Sequence, residues 1–212
     1  MHGENIGEWG APLAVAEGEM HSRSMSDEPP RREATYEDLE RLPPNVTGEL
    51  IGGELYASPR PRMRHSQVMY RLGLQLGPFE QRQGEGGPGG WWFAVEPELH
   101  LGRDVLVPDL AAWRCERVPE IPDVVGMELA PDWACEVLSP STERLDRTRK
   151  MAVYAREGVK HLWLVNPALQ TLEVYRLEGD RWLLLGTHEG AVTVQAEPFE
   201  AIALKLGAVW TR

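Results

Sequence analysis

Two carboxylic acids in this chain occupy places where a carboxylate is costly. Asp109 sits between Val105-Leu106-Val107-Pro108 and Leu110-Ala111-Ala112-Trp113, and Glu136 is the one acid in Trp133-Ala134-Cys135-Glu136-Val137-Leu138. Both runs otherwise read as buried strand. An ionised carboxylate there needs an Arg or Lys partner or a bound cation. Were the two acids close together, they would repel, and one would hold its proton at neutral pH. A shared divalent cation removes that conflict. Hard oxygen donors with no soft ligand beside them favour Mg²⁺ or Mn²⁺. Such an ion polarises a phosphoryl group, lowers the pKa of a water and fixes the line of attack. A nearby amine adds charge stabilisation. The expected chemistry is metal-dependent phosphodiester hydrolysis, with Asp109 and Glu136 as the metal ligands.

The elements around them decide whether the acids can meet. Pro108 removes a ladder donor, so a bend or bulge beside Asp109 is expected. Residues 133–138 read as a strand covered on both faces. Ser139-Pro140-Ser141-Thr142 ends that strand and opens a helix to about Glu157, with Gly158 as its stop. The helix carries Arg144, Arg147, Arg149 and Lys150. Lys150 precedes Tyr154 by four residues, so the two share a face. A charged helix face is usually solvated; Arg147 is nonetheless carried as a possible nucleic-acid contact and Lys150 as a catalytic residue.

Upstream, residues 1–33 are polar, acidic and without apolar period, and read as a disordered leader. Thr35-Tyr36-Glu37-Asp38 resembles a capping box before a short helix that ends ahead of Pro43-Pro44. Gly48-Glu49-Leu50-Ile51 and Glu54-Leu55-Tyr56-Ala57 flank Gly52-Gly53 as a tight hairpin. Exposed hairpin carboxylates are the common case, and Glu49 is the candidate that could face a site. Arg60, Arg62, Arg64 and His65 lead into a helix over residues 65–76, a candidate phosphate contact or simply a solvated basic loop. His100 and His161 lack such neighbours. The Gly-rich stretch 84–90 has no Gly-Lys-Ser/Thr after it and is a connector, not a phosphate loop.

Downstream, His161-Leu162-Trp163-Leu164-Val165 reads as another buried strand. Residues 171–177, 181–185 and 191–194 extend an antiparallel meander. The 212 residues suit one core, expected over residues 34–212 after the leader. No stretch approaches a membrane span, and Cys115 and Cys135 in apolar context suggest buried, reduced thiols of a cytoplasmic protein. No Ser-His-Asp arrangement is visible, which argues against acyl transfer. The net charge of −11 opposes nucleic-acid binding unless the cations are clustered.

Pro108-Asp109 followed by an apolar strand with Glu136 resembles the PD-(D/E)XK nuclease superfamily. More narrowly, the chain resembles the Uma family of restriction-endonuclease-like proteins. The resemblance rests on Gly48-Glu49-Leu50-Ile51, Val107-Pro108-Asp109 and Glu136-Val137-Leu138-Ser139-Pro140-Ser141-Thr142. It continues through Asp146, Lys150, Tyr154, Gly158-Val159 and Leu162-Trp163-Leu164-Val165-Asn166-Pro167. It implies an α/β fold, a restriction-endonuclease-like mixed central sheet flanked by helices, here with an N-terminal hairpin and a C-terminal antiparallel meander. It also implies Mg²⁺-dependent cleavage of DNA, with Asp109 and Glu136 as the acids. The superfamily's lysine belongs two residues beyond the second acid, on the same strand face. That residue is Leu138, and the family pattern offers Lys150 from the following helix instead.

Two other readings compete. A catalytically impaired, nuclease-like module that binds nucleic acid or a protein partner would suit Leu138 and the acidic balance. A hydrolase of a smaller phosphoester would tolerate the negative charge better than a DNA enzyme. By analogy with nucleases that cut both strands, a homodimer is expected.

Overall fold

The structure, a computed structural model, describes residues 32–80 and 87–210. The leader expected over residues 1–33 lies outside them apart from its last two residues, and so does residue range 84–86 of the Gly-rich connector. From the N-terminus the elements are α1 (Tyr36–Glu40), β1 (Val46–Ile51), β2 (Glu54–Pro59), α2 (Met63–Glu80) and β3 (Trp91–Val95). Then come β4 (Glu98–Leu101), β5 (Asp104–Leu106), β6 (Leu110–Arg114), β7 (Gly126–Met127) and β8 (Trp133–Val137). A helical run follows as α3 (Glu143–Leu145), a π turn (Asp146–Lys150) and α4 (Met151–Arg156). The chain ends with β9 (His161–Asn166), β10 (Thr171–Glu178), β11 (Arg181–Glu189), β12 (Thr193–Val194), β13 (Leu204–Lys205) and α5 (Leu206–Trp210).

The class is mixed α/β, but the strands form two larger sheets where one central sheet was expected. One runs β2-β1-β5-β4-β7, the other β11-β10-β9-β8-β6-β3, and β12 pairs with β13 separately. Both larger sheets are mixed: β4 and β7 run parallel, as do β8 and β9, within otherwise antiparallel ladders. The meander therefore ends at β11, and residues 193–194 belong to the small separate sheet. The Gly52-Gly53 hairpin forms as expected, with Ile51 opposite Glu54 and both glycines at positive φ. Helix α2 exceeds its expected span at both ends and runs through Pro78, beyond the apolar stripe that marked it.

The alternation along β8 explains why Glu136 is where it is. Trp133, Cys135 and Val137 enter the core shared with α2, α5 and Phe199. Ala134 and Leu138 enter the other core, with Tyr154, Leu162 and Leu164. Successive strand residues point to opposite faces, so Glu136 shares the face that α4 covers. The first core is held by packed aromatic edges: Trp133 and Trp163 meet at 5.3 Å and 90°, and Phe199 touches both. Val107, Pro108 and Asp109 are the crossing from β5 in one sheet to β6 in the other. Proline fits a step that belongs to neither ladder. Of the two cysteines only Cys135 is buried; Cys115 is exposed, against expectation.

Candidate active site

The ladder between β6 and β8 ends with Leu110 opposite Cys135. One step further along the two chains lie Asp109 and Glu136. Asp109 Oδ2 accepts the Val137 backbone N–H at 2.5 Å, and Oδ1 meets His65 Nε2 at 2.6 Å. Asp109 is thus clamped between β8 and the first turn of α2. Glu136 is buried, and its Oε1 accepts the Tyr154 hydroxyl at 2.5 Å and Lys150 Nζ at 2.9 Å. Among the described residues its Oε2 accepts no hydrogen bond, while Glu136 lines an open cleft of about 590 Å³.

Lys150 is the hub. Besides Glu136, its Nζ lies 3.0 Å from Glu49 Oε1 and 3.6 Å from Asp146 Oδ1, and it donates to the Val107 carbonyl at 3.1 Å. Glu49 Oε1 also accepts the Val107 backbone N–H at 2.8 Å. Strand β1, the inter-sheet crossing, β8 and the helical run therefore converge on one ammonium. Asp146 and Lys150 open and close the π turn, and Tyr154 follows one turn later on the same face. Wide turns of this kind recur at functional sites. The helix stops in a Schellman pattern: Val159 N–H donates to Tyr154 O at 2.9 Å, with Gly158 at φ 76°.

The buried charges set one another. Burial works against the Lys150 charge, but Glu136 and Glu49, with Tyr154 and Asp146, outweigh it and hold the ammonium well above the ordinary lysine range. Burial pushes the Glu136 carboxyl well up; Lys150 opposes this, and Asp146, Asp109 and Glu49 reinforce it. Burial likewise lifts Asp146 to about 6 despite Lys150. Three carboxyls thus compete for one ammonium, and their burial and mutual repulsion favour a shared proton or a further cation among them.

Asp109, Glu136, Lys150 and Glu49 all line the cleft. Glu49 is 5 % exposed, so it is no ordinary hairpin carboxylate. Leu138 also lines the cleft, and the amine comes from Lys150 instead. Arg60, Arg62, Arg64 and His65 lie on the same cleft. Arg147 does not line it. Its guanidinium forms two bonds to Glu173, at 2.6 and 2.9 Å, and one to Glu143 at 3.0 Å. Sequence reasoning missed Asp146 as a site residue, although its spacing of four from Lys150 was a usable signal. It also missed the hydroxyl group formed by Ser139, Ser141 and Thr142, which bond one another at 2.9 and 3.0 Å on the cleft wall.

The donor set suits one kind of ion. Among the described residues no group of three or more His, Cys, Asp or Glu side chains is arranged to hold a metal. Mg²⁺ does not need such a cage: it takes one or two carboxylates and keeps water or phosphate oxygens as its other ligands. Asp109 and Glu136, adjacent across two strands and open to the cleft, fit that mode.

Among solved structures, the chain is similar to "a putative nuclease belonging to DUF820" from Anabaena variabilis. The TM-score is 0.66 at 22% identity, covering 84% of this chain and 97% of that one. This likeness shows the fold. No curated protein matches the chain. Among the described residues no helix is long and apolar enough to cross a membrane. The Uma2 family, described as "putative restriction endonuclease", matches residues 34–207. With a match over that much of its length, the chain belongs to the Uma2 family.

Proposed function

We propose that the protein is a Mg²⁺- or Mn²⁺-dependent endonuclease that hydrolyses DNA phosphodiesters. The observation that carries this reading is the convergence of Asp109, Glu136 and Lys150 on one cleft with arginines at its rim. The family supports a nuclease, and the rim arginines answer the objection raised by the net charge of −11. Nucleic-acid affinity follows clustered cations rather than the total.

Asp109 and Glu136 would hold the ion. When bound, it supplies Lewis-acid polarisation of the phosphoryl group and a lowered pKa for the attacking water. Tyr154 and Lys150 fix Glu136 through Oε1 and leave Oε2 toward the cleft. Asp109 is fixed at both oxygens, by His65 at Oδ1 and the Val137 N–H at Oδ2, and would offer the ion the remaining lone pairs. Lys150, kept charged by its carboxylates, faces negative charge that develops on the phosphoryl oxygens. Arg62 and Arg64 orient the strand through its phosphates.

The test is cleavage of plasmid and oligonucleotide DNA with Mg²⁺ or Mn²⁺, and with EDTA, by the wild type, Asp109→Asn and Glu136→Gln. Cutting should need the divalent ion and vanish in both variants. Cutting that persists in them would come from a contaminant. No cutting, together with no heat of Mg²⁺ or Mn²⁺ binding by calorimetry, would leave a non-catalytic binding module.

A further inference from the structure

A small pocket adjoins the cleft and shares Arg64 and Pro167 with it. Its polar side is Arg64, Gln67 and Arg71, and its apolar wall includes Val209 and Trp210 of α5. We propose that this pocket binds a second phosphodiester of the nucleic-acid strand whose scissile phosphate lies in the cleft. The proposal rests on the nuclease reading of that cleft.

Charge is the first argument. The chain carries eleven more acids than bases, and among the described residues many arginines are spent on carboxylates: Arg41, Arg103, Arg117, Arg147, Arg156 and Arg176. The pocket reverses that pattern, because no Asp or Glu lines it. Arg64 spends one N–H on the Pro167 carbonyl at 2.8 Å, which fixes the guanidinium and leaves its other donors available. Among the described residues neither Gln67 nor Arg71 has a side-chain hydrogen bond or ion pair. The pocket presents two guanidinium groups and an amide with no internal anion to satisfy them. Guanidinium groups pair with phosphate oxygens through paired N–H bonds, which a lysine cannot copy.

Geometry is the second argument. Residues 64, 67 and 71 are spaced by three and four, so they share one face of α2. That face starts at the cleft and leads away from its acids. From Arg64 to Arg71 the helix rises ~10 Å, the rise of about three nucleotides of one strand. A strand leaving the cleft over this face would meet Arg71 within a few nucleotides.

The experiment uses the full chain, Ca²⁺ in place of Mg²⁺, and fluorescence anisotropy of labelled single-stranded oligothymidylates. One is too short to leave the cleft, and one is long enough to reach Arg71. The wild type should bind the long one more tightly. In Arg71→Gln that advantage should be lost, and the slope of log affinity against log salt should fall by about one. Gln67→Lys should raise affinity for the long strand and steepen the slope by about the same amount. Equal binding of the long strand by wild type and Arg71→Gln, with equal slopes, would overturn the proposal. So would a wild type that binds neither length. Inorganic phosphate, titrated by calorimetry, separates the sources: phosphate binding that needs Arg71, with no effect of Arg71→Gln on the long strand, assigns the pocket to a free anion and overturns the strand reading. Cleavage in Mg²⁺ is scored separately. A protein that holds the long strand through Arg71 without cutting it defeats the nuclease reading, and with it the scissile phosphate in the cleft, while the phosphate contact at Arg71 stands.

Discussion

Lys150 Nζ lies 2.9 Å from Glu136 Oε1, and both side chains are buried. Neither group is there without the other. Lys150→Met would leave Glu136, Glu49 and Asp146 facing one another with no cation. Breaking a buried ion pair from one side costs about 3–5 kcal/mol. Carboxyls can escape part of that cost by taking protons, so the penalty should be largest above neutral pH and shrink in acid. Denaturant unfolding at pH 8 and pH 5 measures the difference. Cleavage should fall on the order of a hundredfold or more. A penalty that grows toward acid would contradict the charge arrangement.

Tyr154 tests orientation alone. Its hydroxyl donates to the same Glu136 oxygen, and Tyr154→Phe removes that bond while keeping the ring packed against Leu162 and Leu164. The expected loss is about 1–2 kcal/mol of stability. Divalent-ion affinity should fall on the order of tenfold, as it does when groups behind a ligand are removed. Calorimetric titration with Mn²⁺ reads it directly. Unchanged affinity would mean that Lys150 alone holds Glu136.

How far the site was legible follows the range of the contacts involved. Glu136 stood out because strand alternation is local: one acid among apolar neighbours is visible in six residues. Lys150 and Tyr154 were readable as one helix face for the same reason. Glu49 was not, because its burial depends on β5 and the inter-sheet crossing, more than fifty residues away in the chain. The pairing of Arg147 with Glu173 was hidden too, because Glu173 lies on β10 and nothing near Arg147 in sequence announces it. The division into two sheets was hidden likewise: β3 and β4 are nearly consecutive yet belong to different sheets. Residues 133–137 looked like any buried strand, and only the pairing with β6 places Asp109 beside Glu136.

Asp109 is more than a candidate ligand, and the choice of variant matters. Its Oδ2 is the acceptor for the Val137 N–H. Asp109→Ala should strip that donor of its partner at a cost of about 1–3 kcal/mol. Asp109→Asn can keep an oxygen acceptor toward Val137, so it should unfold close to the wild type while losing metal binding and cleavage. Thermal melts of both variants beside a Mn²⁺ titration check this. Equal melts for Ala and Asn would mean that the Val137 bond carries no stability.

Asp146 gives the sharpest dependence on pH. Burial raises its carboxyl from 3.8 to about 6, with Lys150 opposing. A raised acid binds its proton more tightly when folded than when unfolded. Its contribution to stability is therefore fully present below pH 4 and is lost as pH rises through about 6. Asp146→Asn cannot ionise and should not show that loss. The difference in unfolding free energy between variant and wild type should thus move in favour of the variant between pH 4 and pH 7, by up to about 3 kcal/mol. His161, half-buried and lowered to about 4, adds an opposite trend over part of the same range. It is common to both proteins, so the comparison cancels it. Urea unfolding of the pair at half-unit pH steps provides the curve. A difference that is flat with pH would show that Asp146 ionises in the folded protein as freely as in the unfolded chain, and that Lys150 fully offsets the cost of its burial.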